Sequence, residues 1–97
     1  MEDTNGGYMK TFPGEIDLIN FLKTQDLHKN GVGLSARGKI LKDGWLTGPY
    51  YVTGYLYDKE THMFPVGERF RINIDWINKE DAEKSIKRIR EAIGDSS

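Results

Sequence analysis

Arg69-Phe70-Arg71-Ile72-Asn73-Ile74-Asp75-Trp76 alternates polar and apolar residues without a break. A strand turns successive side chains to opposite faces, so Phe70, Ile72, Ile74 and Trp76 share one face and Arg69, Arg71, Asn73 and Asp75 the other. This predicts a half-buried strand. A helix is predicted immediately after it: Asn78 is placed to cap, Asp81 follows three residues on, and Ile77 can pack on Ala82 as a hydrophobic staple. Ala82, Ile86, Ile89 and Ile93 recur at helical spacing, and Gly94 is placed to end the run. Strand and helix each offer one apolar face, which the chain upstream must help to cover.

Working outward, residues 1–7 are polar and end in Gly6-Gly7, which predicts a disordered N-terminus, with one domain over 8–97. Tyr8 to Phe12 reads as a short strand stopped by Pro13-Gly14. Glu15 to about Leu27 reads as a helix with Ile16, Ile19 and Leu22 in its stripe and Leu18 and Phe21 beside them. Gly31 to Gly38 holds three glycines in eight residues and predicts either a loop or a distorted strand. Asp43-Gly44 between Arg37–Lys42 and Trp45–Thr47 predicts a type I′ hairpin with Leu41 opposite Leu46, interrupted by Gly48-Pro49.

Tyr50 to Tyr57 is a strand by composition. Tyr50, Val52, Gly54 and Leu56 lie on one face; Tyr51, Thr53, Tyr55 and Tyr57 lie on the other; Gly54 suggests a bulge or bend. Asp58 to Glu68 is long for a hairpin loop and is expected to be exposed. Strands flanked by helices predict an α+β fold: an antiparallel sheet of about four strands with an N-terminal and a C-terminal helix packed on one face.

The formal net charge is −1, without the basic excess usual in nucleic-acid modules. Cysteine is absent, which excludes disulfides, thiolate metal sites and a cysteine nucleophile. No apolar run reaches the ~20 residues of a membrane span, and the acidic start lacks signal-peptide character, so a cytoplasmic protein is expected, with no membrane association.

Gly33 to Gly38 followed by Lys39 approaches a phosphate loop, but Ile40 stands where Ser or Thr is required and strand, not helix, follows. Asp58, Glu60 and His62 alternate and could point together at a metal, though they fit a charged, solvated turn better, and no metal or cofactor is expected. Glu60, His62, Glu68, Arg69 and Arg71 are the residue types of phosphodiester cleavage, yet their spacing matches no known arrangement. Lys84, Lys87, Arg88 and Arg90 read as a salt-bridged helix face, since Glu80 and Glu83 precede Lys84 and Lys87 by four residues.

The tyrosines are the most informative feature. If Val52 and Leu56 face the core, Tyr51, Tyr55 and Tyr57 face away from it, beside Arg69 and Arg71 of the following strand. Tyr and Arg are enriched in binding hot spots and also stack on bases. A second layer covering this face, with the tyrosines as core, is the alternative. The leading expectation is a small non-enzymatic binding or inhibitory module that docks a protein partner through Tyr51, Tyr55, Tyr57, Arg69 and Arg71, as phage and mobile-element regulators do. The second is single-stranded nucleic-acid binding on the same face, and the third a small nuclease around His62.

Overall fold

The computed structural model describes residues 9–94; the expected disorder of residues 1–7 lies outside them. The elements run β1 (Met9–Phe12), α1 (Glu15–Lys23), β2 (Asn30–Lys42), β3 (Trp45–Asp58), β4 (Arg69–Ile72) and α2 (Lys79–Ala92). The class is α+β. The four strands form one sheet in the order β1-β4-β3-β2. β2–β3 and β3–β4 are antiparallel, but β1 lies parallel to β4, with Met9 opposite Arg69 and Phe12 opposite Ile72. The sheet is therefore mixed. The chain crosses between the parallel strands by way of α1 and the hairpin.

The apolar alternation of β4 places Phe70 and Ile72 in the core, fully buried. The ladder then stops at Ile72, and a single bridge between Tyr50 and Trp76 continues the direction. Ile74 and Trp76 still pack on the core. Both helices cover this same face. Leu18, Ile19 and Leu22 of α1 and Ala82, Ser85 and Ile89 of α2 are buried, against Val32, Val52 and Leu56. Burial of this set supplies the fold's driving force, since each large aliphatic side chain removed from water contributes on the order of 1.5–3 kcal/mol. Glu15 at the start of α1 accepts two hydrogen bonds from Arg88 of α2, tying the helices together.

Several local expectations are corrected. α1 ends at Lys23 rather than near Leu27, because the Thr24 hydroxyl donates to the Phe21 carbonyl and Asp26 accepts from the His28 and Lys29 N–H groups in a following turn. Ile16 faces solvent, the buried stripe being centred on Leu18 and Leu22. No staple forms at α2, since Ile77 is 84% exposed, and Asn78 caps through its carbonyl rather than its side chain. Gly94, with φ of +82°, ends that helix as expected.

The glycine-rich segment 31–38 is strand. Every one of these residues is in register with one of β3, so the N–H groups alternate between the strand's two sides and do not converge on a common point as a phosphate cradle requires. Gly54 is neither bulge nor bend but a buried ladder residue opposite Phe70. The turn Asp43-Gly44 has φ of +53° and +82°, the signs a type I′ turn needs, and Leu41 does pair with Leu46. The register slips between Gly38 and Ile40, opposite Gly48-Pro49, and beyond the slip the hairpin becomes an arm with Ile40, Leu41, Trp45 and Leu46 all exposed.

Candidate functional site: the open face of the sheet

Both helices occupy one face, so among the described residues no helix or strand covers the other. Parity along the strands determines what that face carries. Val52 and Leu56 are buried, which turns Tyr51, Thr53, Tyr55 and Tyr57 outward. Phe70 and Ile72 are buried, which turns Arg69 and Arg71 to the same side, with Arg71 opposite Thr53. Gly31, Gly33, Ser35 and Arg37 of β2 complete the face, opposite Tyr57, Tyr55, Thr53 and Tyr51 respectively.

The pairing explains the glycines. A Cβ on Gly31 would lie 2.2 Å from the Tyr57 ring, and one on Gly33 would lie 2.8 Å from the Tyr55 ring. The rings lean across the strand into the space that glycine leaves, which makes Tyr55 and Tyr57 half-buried although no layer lies above them. Phe64, from the loop after β3, stacks on Tyr55 with centroids 4.9 Å apart and planes 24° apart. Tyr57 meets Tyr55 edge-on at 6.4 Å. The Arg71 guanidinium lies 4.6 Å from the centre of the Tyr51 ring, and the Lys39 ammonium lies 5.8 Å from it. Lys39 also pairs with Asp75.

Arg71 Nε is buried without a hydrogen-bond partner, and the guanidinium lies over the Tyr51 ring. Arg69 is exposed next to Met9 at the β1 side. The structure thus brings Tyr51, Tyr55, Tyr57, Arg69 and Arg71 onto one face.

Phe64 escaped the sequence reading, as did its neighbours Met63 and Val66, all exposed. Their loop carries no periodicity. The Val66 N–H donates to the Leu56 carbonyl and so holds the loop against β3.

The other constellations do not assemble. The Asp58 carboxylate accepts from the Glu60 and Thr61 N–H groups at 2.8 and 2.9 Å, and these bonds hold its pKa below the usual carboxylate range. It closes a turn in which His62 takes a positive φ and its N–H donates to the Asp58 carbonyl. Among the described residues, no three His, Cys, Asp or Glu are grouped to hold a metal ion. Glu68 pairs with Lys10 rather than with either arginine. Among the described residues, no helix is long and apolar enough to cross a membrane. No protein-family model matches this chain, and no curated protein or solved structure was found to be similar to it.

Proposed function

We propose that the protein is a binding module that docks a protein partner on the open face of its sheet. The observation that carries this reading is the state of the rings. Base stacking needs a free aromatic face. Tyr55 leans over Gly33 and is stacked by Phe64, and Tyr51 lies under Arg71. These rings form an ordered aromatic floor, its hydroxyl ends laid over Gly31 and Gly33, with the exposed apolar Met63 and Phe64 beside it. Preordered aromatic area costs little entropy on association, and Arg on an aromatic ring is a common anchor of protein interfaces.

The test is site-specific photocrosslinking. A benzophenone side chain at position 63 is compared with one at position 20, on the exposed side of α1, in cell extract with and without nuclease. The expected result is a discrete protein adduct from position 63 that survives nuclease and 0.5 M salt. Adducts that carry nucleotide, or vanish with nuclease, replace this reading by single-stranded nucleic-acid binding, whose phosphate contacts make affinity fall steeply with salt.

A further inference from the structure

β2 is an edge strand, and the hydrogen-bond phase of its ladder shows which groups it leaves free. Tyr50 exchanges both backbone bonds with Trp76, and the Leu56 carbonyl accepts from Val66. The even residues of β3 therefore direct their backbone groups toward β4, and the odd ones bond β2. The partners of the even residues are Val32, Leu34, Ala36 and Gly38, whose N–H and C=O groups point to the outer edge. Arg90 from α2 donates to the Val32 carbonyl at 3.2 Å and closes that end. Among the described residues, Leu34, Ala36 and Gly38 have no partner on that side. The slip after Gly38 closes the other end. What remains is a window of small and apolar residues, wide enough for one short strand.

We infer that this window takes an extended acidic segment of a partner protein, added as a fifth strand. The side chains determine the chemistry. An incoming residue opposite Leu34, Ala36 or Gly38 would turn its side chain to the helix face, where Leu34 and Ala36 extend the core, and would be apolar. Its neighbours would turn to the open face beside Arg37, whereas Lys39 beyond the window already pairs with Asp75. β2 contains Arg37, Lys39 and Lys42 and no acidic residue, and Arg37 has no carboxylate partner among the described residues. Acid alternating with aliphatic is the complementary pattern. The exposed Ile40 and Leu41 lie just past the window and offer an apolar contact to the end of such a segment. A second copy of this chain fits poorly, because two β2 edges paired over this window would bring two Arg37 side chains into one seam with no acidic residue on either strand.

This inference shares with the proposed function only that the partner is a protein. The probe is a short synthetic peptide alternating Glu with Val, with a Lys-for-Glu counterpart as control, titrated into ¹⁵N-labelled protein. The expected result is amide-exchange protection of Leu34, Ala36 and Gly38 by at least tenfold, with the Lys peptide binding at least tenfold more weakly. Arg37→Glu with Lys42→Glu is expected to invert the preference. Ala36→Pro, which removes an outward N–H at a position where an edge strand tolerates proline, is expected to abolish binding. If that variant does not fold, the charge reversal decides. Equal binding of the two peptides, or protection elsewhere, overturns the inference. Protection without peptide that grows with protein concentration assigns the edge to a second copy instead. Tyr55→Ala leaves the peptide bound while weakening capture at position 63, so the two proposals fail separately.

Discussion

Gly54→Ala tests the packing at the centre of the sheet. Gly54 is buried and pairs with Phe70. A Cβ there would lie 2.3 Å from the Gly33 carbonyl oxygen, 2.7 Å from the Phe70 ring and 2.8 Å from a Leu34 methyl. Two of these are side chains, but the carbonyl belongs to a ladder that cannot shift without carrying β2. Replacing glycine by alanine reduces the entropy of the unfolded chain and so favours the fold by about 0.4–1 kcal/mol where the native backbone accepts it. Overpacking opposes this by about 1–3 kcal/mol, and a contact with backbone belongs at the upper end. The net expectation is a loss of about 1–2.5 kcal/mol. In urea, with a slope of roughly 1 kcal/mol per molar for a chain of this size, the midpoint falls by about 1–2.5 M. Gly33→Ala is the control, since the far end of the Tyr55 ring can swing aside; it should cost less stability and loosen the Tyr55–Phe64 stack. A Gly54→Ala variant as stable as the wild type would refute the close approach of β2, β3 and Phe70.

Ile89→Ala should cost about 2–5 kcal/mol by urea unfolding, and Ile86→Ala clearly less, because Ile89 is fully buried and Ile86 only partly; equal losses would show α2 rotated about its axis. Gly44→Val should lower stability by about 1 kcal/mol or more, since a β-branched residue resists the +82° φ of the turn, and an unchanged melting temperature would remove the type I′ assignment. The hydrogen bonds from Arg88 hold the Glu15 carboxyl below its ordinary pKa, so their stabilisation is present above about pH 4.3 and is lost as pH falls through the lowered folded-state value. With Arg88 half-exposed the contribution is under about 1 kcal/mol. The stability difference between wild type and Glu15→Gln should shrink on acidification toward pH 3, and a difference constant with pH would exclude the pair as its source.

The α+β class and the faces of β3 and β4 were legible because alternation is a local signal and the buried aliphatics fix its phase. Segment 31–38 was ambiguous because its stability as a strand comes from Tyr55 and Tyr57, more than twenty residues away, filling the space above Gly31 and Gly33. The parallel seat of β1 is likewise a long-range choice that no short stretch encodes. Ile16 and Ile77 fitted their helical patterns by type but stand largely exposed among the described residues. At the site, parity correctly placed Tyr51, Tyr55, Tyr57, Arg69 and Arg71 on one face, whereas Phe64 reaches Tyr55 from an irregular loop that no periodicity announces.

The parallel pairing of β1 with β4 also orders events in time. The β2–β3 hairpin closes around a two-residue turn, whereas bringing Met9 to Arg69 closes a loop of about sixty residues, which costs on the order of 3–4 kcal/mol in chain entropy by the (3/2)RT ln n scaling. Four residues of mostly exposed strand return little against that cost until α1 and α2 have docked. On this balance β1 is expected to be the last strand in and the first out, a prediction that amide exchange checks. When it lifts away it uncovers β4, so that β2 and β4 become, for that interval, the two outer edges of a three-stranded sheet, and the amides that β1 protects exchange with solvent long before those of the hairpin.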